Sequence, residues 1–315
     1  MIKVLANDGI TDGGKQLLES NGFSVDTQTL DPATLAERIN DYDALLVRSA
    51  TKVRADLIDK CDRLKVIGRG GVGLDNIDVA HAEEKGIKVV NTPAASSQSV
   101  AELVMAHMYT GARHLHDANR KMPNEGVGNF KGLKKQYKGT ELQGKTLGVI
   151  GFGRIGQAAA KLALGVGMQV KAYDKFVNEP VTLTLRIQEQ QVPVSIAPSQ
   201  LEDVLQCDYL TLHVPFNKAE GPTLDASAFD KMKEGIYLIN ASRGGVVDEE
   251  ALLNALNSGK VAYAGIDVFD NEPTPRADLL AHPKVSLTPH IGASTTEGQE
   301  RVWSEMAQTL IDFFK

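Results

Sequence analysis

Thr146-Leu147-Gly148-Val149-Ile150-Gly151-Phe152-Gly153-Arg154-Ile155-Gly156 is the stretch that decides the fold. Its first five residues are a short apolar run and its last six a Gly-x-Gly-x-x-Gly. Behind them Ile155, Ala158, Ala159, Leu162 and Ala163 recur at helical spacing, so the glycines stand where a buried strand turns into an amphipathic helix. The first glycine permits the tight turn, the second lets backbone approach a pyrophosphate, and the third lets helix and strand pack closely. The new helix offers unpaired N–H groups and partial positive charge at its start. Asp174 ends the next strand, Gln169–Tyr173, about 20 residues on. A carboxylate there accepts hydrogen bonds from two ribose hydroxyls and repels a 2′-phosphate, which predicts NAD. Lys175 beside it leaves some tolerance of NADP open. The cofactor contacts expected from this stretch are Gly151, Gly153, Arg154, Ile155, Gly156 and Asp174.

Further strands are expected downstream at Tyr209–His213, Tyr237–Asn240, Ala264–Val268 and Val285–Leu287. Upstream lies a second alternating series. Ile2–Ala6, Phe23–Val25, Ala44–Val47, Lys65–Ile67 and Lys88–Val90 read as strands, with helices near Gly13–Glu19, Ala33–Ile39, Ala55–Lys60 and Val79–Lys85 between them. Such alternation predicts α/β architecture with parallel, doubly wound sheets in two blocks. Between the blocks, Ser99 and Glu102 have capping-box spacing. A helix after them carries Val100, Leu103, Val104, His107, Met108, Gly111 and Leu115 on one face. Lys121 to Lys145 is rich in glycine and lysine without periodicity and reads as a long loop or arm. Val181–Pro198 is locally divergent and leaves the third strand of the block that begins at Thr146 unassigned. After His290 a helix places Val302, Met306, Thr309, Leu310 and Phe313 on one face.

A chain of 315 residues suits two domains. Net charge is −6, which argues against non-specific nucleic-acid binding. No apolar run reaches the roughly 18 residues of a membrane span, and the first residues lack the apolar core of a signal peptide. A cytoplasmic location is therefore expected. Cys61 and Cys207 read as ordinary buried thiols in a reduced compartment. His107, His114 and His116 lack clean metal-ligand spacing, so no metal is expected. His213, in Leu212-His213-Val214-Pro215, reads as structural or as a neighbour of the cofactor.

Three segments carry candidate chemistry after strands, where open parallel sheets bind ligands. They are Asn240-Ala241-Ser242-Arg243-Gly244-Gly245, Asp267-Val268-Phe269-Asp270-Asn271-Glu272-Pro273 and Thr288-Pro289-His290-Ile291-Gly292-Ala293. Hydride transfer from an alcohol needs an acid/base beside the oxygen, and histidine suits this near neutral pH. A carboxylate partner holds the ring, and an arginine fork grips a substrate carboxylate. Taken singly, Arg243 also reads as a solvated cap, Glu272 as a turn acid and His290 as a loop histidine. Spacing alone does not decide between these readings.

The chain resembles the D-isomer-specific 2-hydroxyacid dehydrogenase family nearly end to end. The pieces that carry the likeness are Val47-Arg48-Ser49-Ala50-Thr51-Lys52-Val53, Gly68-Arg69-Gly70-Gly71-Val72-Gly73-Leu74-Asp75, Asn91-Thr92-Pro93, Lys138-Gly139-Thr140-Glu141-Leu142, Ser242-Arg243-Gly244-Gly245-Val246-Val247-Asp248-Glu249 and Pro289-His290-Ile291-Gly292-Ala293. The resemblance implies two Rossmann-like domains flanking an active cleft, the nucleotide domain (99–286) inserted into a substrate domain (1–98 plus 287–315). It implies His290 as acid/base, Glu272 as its partner and Arg243 as the anchor for the substrate carboxylate and carbonyl. It places Val72, Val214, Ala241, Asp267 and Gly292 near the cofactor, with Asp267 at the carboxamide. Within the family the likeness is greatest to the branch that oxidises D-3-phosphoglycerate to 3-phosphohydroxypyruvate with NAD, in serine biosynthesis. Arg48, Arg69, Gly70 and Gly71 are then candidates for the distal phosphate. Lys134 and Lys135 are candidates to reach a neighbouring subunit's site in a homodimer. The chain ends 25 residues after His290, so serine feedback through an appended sensing domain is not expected.

Two other readings stay open. One keeps the chemistry with glyoxylate, hydroxypyruvate or D-lactate as substrate. The other is an NADH-responsive corepressor-like binding protein, which the three candidate residues by themselves do not exclude.

Overall fold

The computed structural model describes all 315 residues, which divide into two compact units: Met1–Ser97 with Ala293–Lys315, and Gln98–Gly292. No helix is long and apolar enough to cross a membrane.

The first unit is built on five parallel strands: β1 (Ile2–Ala6), β2 (Phe23–Asp26), β3 (Ala44–Val47), β4 (Val66–Arg69) and β5 (Lys88–Asn91). Their order is β2-β1-β3-β4-β5. Successive side chains leave opposite faces of a strand, and both faces here are covered. Leu5, Leu45, Val47 and Ile67 join one core, while Val4, Ala6, Leu46 and Val66 join another. The second core includes Trp303, Met306 and Leu310 of the helix Thr296–Phe314, so the chain's last helix seals the sheet formed by its first residues. Gly14 is small because it must be: a Cβ there would lie 2.8 Å from Trp303 Cβ.

The second unit holds β6 (Thr146–Ile150), β7 (Gln169–Tyr173), β8 (Val181–Ile187), β9 (Gln190–Ile196), β10 (Tyr209–Leu212), β11 (Ile236–Asn240), β12 (Val261–Ile266) and β13 (Val285–Leu287). Six of them form a parallel sheet in the order β13-β12-β11-β10-β6-β7. Tyr173, Ile150, Leu212, Asn240, Ile266 and Leu287 are register partners in turn, and each is the last residue of its strand. The strands therefore stop along one line about 24 Å long, at roughly 4.8 Å per strand. Every loop that follows starts from that line.

Three expectations are corrected. Ser99 is not a cap: the helix begins at Ser97, and Ser99 lies inside it, 4% exposed. Leu115 lies outside that helix and is exposed. The segment from Lys121 to Gln136 is helical, not loop. Residues Leu115–Gln136 are two helical pieces broken at Asn129 (φ −131°, ψ 27°), and the chain folds back there. The Tyr137 hydroxyl accordingly reaches the Asp117 carboxylate at 2.7 Å. Glycine and proline in 121–136 hide the helical pattern, while tertiary ties between the two ends hold it. The undefined stretch Val181–Pro198 is an antiparallel hairpin, β8–β9, outside the main sheet. Beyond β7 the sheet continues only as a single bridge, Ala172 to Pro198.

Candidate active site

The glycine turn has the form its sequence requires. Gly151 has φ +90°, and a Cβ there would lie 2.5 Å from His213 O. A Cβ on Gly156 would lie 2.1 Å from Gly151 O, so helix Arg154–Gly165 packs onto the turn only through glycine. At Gly153, the N-cap, a Cβ would meet no protein atom within 4 Å, and no side chain caps the helix. Open space over uncapped N–H groups is what a pyrophosphate needs. Asp174 faces this turn: Oδ2 accepts from Phe152 N at 2.7 Å and Oδ1 from Phe176 N at 2.9 Å. Each oxygen keeps lone pairs for a ribose. Ala172, Val177, Ala197 and Pro198 line a small groove beside it. Lys175 is engaged by Glu220 at the surface.

The loop after β11 is shaped by Asn240. Its Oδ1 accepts from Ser242 N (3.1 Å) and Ser242 Oγ (2.7 Å), and its amide donates to Arg243 O (3.1 Å). Arg243 Nη1 donates to Ser242 O at 2.6 Å. The next residue is glycine for a steric reason: a Cβ on Gly244 would lie 1.9 Å from Phe269 O. The Arg243 loop therefore lies directly on the loop after β12, and Gly245 N donates to Asp270 Oδ1.

That second loop carries Glu272, whose Oε1 accepts from Phe269 N at 3.0 Å. Its other oxygen is 2.8 Å from His290 Nδ1. His290 is held in the left-handed region (φ 55°), which costs a non-glycine residue about 1–2 kcal/mol. Asp267 supplies the counterforce. His290 N donates to Asp267 O at 2.8 Å. The Asp267 carboxylate, 1% exposed, accepts from Ile291 N (2.8 Å), Gly292 N (2.8 Å) and Thr288 Oγ1 (2.6 Å). One lone-pair site on Oδ2 remains for another donor. His290 and Glu272 are 43% and 37% exposed, so the ring is reachable from solvent.

His213 follows β10 with its ring buried, and burial pushes its pKa down to about 3. Val214 lies beside it, with Cγ1 2.8 Å from the Cβ position of Gly151. Ala241 is buried at the end of β11.

In the first unit, Val47 and Arg69 are register partners, so Arg48 and Arg69 leave the carboxyl ends of neighbouring strands. Both are half-buried. The Arg69 guanidinium folds back over Gly71 (φ +132°), whose N–H donates to Thr92 Oγ1 at 2.8 Å. Val72 O accepts from Asn91 Nδ2 at 2.6 Å on the same edge. Lys134 and Lys135 belong to the second unit, exposed in the last turn of the helical hairpin. Asn240, Ser242, Phe269 and Thr288 carry no signal in the sequence. They act through a side-chain amide, hydroxyls and a backbone N–H with no signature of their own.

Residues 105–292 match the model of the D-isomer specific 2-hydroxyacid dehydrogenase, NAD binding domain. Over 313 residues the chain is 44% identical to a hydroxypyruvate reductase of Thermotoga maritima, covering 98% of this chain and 97% of that one. The chain belongs to the D-isomer specific 2-hydroxyacid dehydrogenases. It is 41% identical over 310 residues to the D-3-phosphoglycerate dehydrogenase of Methanocaldococcus jannaschii, covering 98% of this chain but 57% of that protein. It thus spans little more than half the length of such relatives. The NAD+-bound 3-phosphoglycerate dehydrogenase of Entamoeba histolytica superposes with a TM-score of 0.78 at 27% identity, over 99% of this chain and 95% of that one.

Members of this family are NAD-dependent oxidoreductases of small 2-hydroxy acids, and this dehydrogenase shares that chemistry and that cofactor. The open cradle at Gly153 and the two-oxygen acceptor at Asp174 fit NAD.

Proposed function

We propose that this dehydrogenase oxidises D-3-phosphoglycerate to 3-phosphohydroxypyruvate. When bound, NAD supplies the acceptor for the hydride leaving C2. The chain's own residues do the rest. His290 takes the hydroxyl proton at Nε2, because Nδ1 is committed to Glu272. Glu272 fixes the ring and stabilises the imidazolium that forms. Arg243 grips the C1 carboxylate, and its fork geometry orients C2. NAD would be held by Gly151, Gly153, Arg154, Ile155, Gly156, Val214, Ala241 and Gly292, which stand at or beside the strand ends, with Asp174 to receive the ribose hydroxyls and Asp267 the carboxamide. Val72 is proposed as a further cofactor contact.

The observation that carries the chemistry is the 2.8 Å His290–Glu272 pair on the same strand-end line as the glycine turn. The phosphate is proposed on Arg48 and Arg69, with Gly70 and Gly71, because the two arginines stand at the carboxyl ends of neighbouring strands. That assigns the unit Met1–Ser97 with Ala293–Lys315 to substrate binding and Gln98–Gly292 to the nucleotide. We extend the reading to a cytoplasmic homodimer serving serine biosynthesis. The exposed Met122, Val127 and Phe130 of the helical hairpin support a contact surface there, and Lys134 and Lys135 would serve the partner's site.

A second substrate, hydroxypyruvate, is favoured by the full-length match to the Thermotoga maritima reductase. Hydroxypyruvate and its reduced form D-glycerate each lack the one phosphate carried by 3-phosphohydroxypyruvate and D-3-phosphoglycerate. Turnover of D-3-phosphoglycerate and of D-glycerate by wild type and Arg48→Ala separates them. The phosphate reading requires KM to rise about 10–100-fold for the phosphorylated acid alone, as loss of a charged hydrogen bond implies. Equal effects on both acids overturn it.

A further inference from the structure

His107 lies in the middle of helix Ser97–Ala112, 2% exposed, with both ring nitrogens engaged. Nδ1 is 3.2 Å from Ser286 Oγ, and Nε2 is 3.1 Å from Thr288 Oγ1. Thr288 Oγ1 is in turn 2.6 Å from Asp267 Oδ1. The ring reaches β12 and β13 because residue 265 is glycine: a Cβ there would lie 2.6 Å from His107 Cβ.

The direction of each bond follows from what each group can donate. Two backbone N–H groups, of Ile291 and Gly292, point at the Asp267 carboxylate, which therefore acts as acceptor. Thr288 must give its only proton to Oδ1. Its oxygen can then only accept from the ring, so Nε2 carries hydrogen. Burial holds the His107 ring below its ordinary pKa, more strongly than the Asp267 charge raises it, so Nδ1 is bare and Ser286 donates to it. The neutral Nε2–H tautomer satisfies both ring nitrogens and the Thr288 hydroxyl.

We propose that His107 is a positioning residue for His290, acting through the directed chain Ser286 to His107 to Thr288 to Asp267. The end of that chain is the carboxylate that holds Ile291 and Gly292, on the segment where His290 sits in its left-handed conformation. The proposal rests on the reading of His290 as acid/base, and it assigns to a helix distant in sequence the task of aiming the ring.

The chain is tested first on the wild-type protein by histidine-selective ¹⁵N spectroscopy, with His107→Gln to assign the signal. The expected result is a neutral Nε2–H ring at about pH 7.5, above the ordinary imidazole range. An Nδ1–H ring, or a protonated one at that pH, overturns the proposal. The link to turnover is tested with His107→Phe, Thr288→Val and the double variant. Each single change should lower kcat about 10–100-fold, as loss of an outer-shell partner does. The double variant should fall no further, because both changes break one chain. His107→Gln, which can offer an amide N–H to Thr288, should recover part of kcat. Additive losses, or lowered stability with unchanged kcat, overturn it. If no 2-hydroxy acid is turned over, the acid/base reading of His290 fails, and the ring spectrum still decides the hydrogen-bond chain.

Discussion

Glu272 holds the ring of His290 with one oxygen, at 2.8 Å, and its own turn with the other, at 3.0 Å to Phe269 N. A carboxylate fixed at one end and bonded at the other gives the imidazole a single orientation. Exchanging it for the amide of glutamine keeps the shape and removes the charge. Glu272→Gln should lower kcat roughly 10–100-fold while leaving the folded structure intact. Steady-state kinetics together with a thermal melt check both halves.

Removing the ring separates an enzyme from a sensor. His290→Ala should cut turnover by about 10²–10⁴-fold, the usual contribution of a general acid/base. NADH binding, followed by fluorescence, should persist, because the glycine turn and Asp174 are untouched. Unchanged turnover would remove His290 from the chemistry.

Arg243 is expected to tolerate no conservative exchange. Lysine keeps the charge and loses the two-pronged grip. Arg243→Lys should raise KM for the keto acid and lower kcat together, by about tenfold or more in kcat/KM. A change confined to the cofactor's KM would contradict the assignment.

Stability should fall with acid before the carboxylates titrate. The folded pKa of His213 is about 3, against an ordinary value of 6.5. Below pH 6.5 the unfolded chain binds a proton that the folded chain refuses, so unfolding becomes easier as pH drops, until the folded ring itself protonates. The slope is at most about 1.4 kcal/mol per pH unit for one such group. His107 and His282 are lowered in the same direction, also chiefly by burial. Urea midpoints measured from about pH 6.5 to 4.5 should decline, and His213→Gln should flatten the decline by close to one proton.

Much of the architecture was legible because it depends on local pattern. The run from Thr146 to Gly156, with Asp174 after it, specifies strand, turn and helix through alternation, glycine conformation and helical spacing, all readable within about 30 residues. The parallel α/β class followed from the same periodicities. The helical hairpin at Leu115–Gln136 was not legible, because Gly126, Gly128, Gly132 and Pro123 depress helix propensity and side-chain ties such as Tyr137–Asp117 and Lys121–Asp117 offset this. The β8–β9 hairpin does show a two-residue alternation, at Val181, Leu183, Leu185 and Ile187 and again at Val192, Val194 and Ile196, but its antiparallel pairing outside the parallel sheet is decided by tertiary structure.

The sequence by itself determined which residue types were available: a nucleotide turn, a basic fork, an imidazole and a carboxylate, each at a strand end. Tertiary structure decided that the segments bearing them all start from one line of strand ends. Arg243, Glu272 and His290 are separated by 29 and 18 positions, and no local rule joins such distances. Parallel pairing does, by ending β6, β10, β11, β12 and β13 on one line. Side chains such as Asn240, Thr288 and His107 acquire their roles only there, because a hydrogen bond depends on position in space and leaves no periodic trace along the chain.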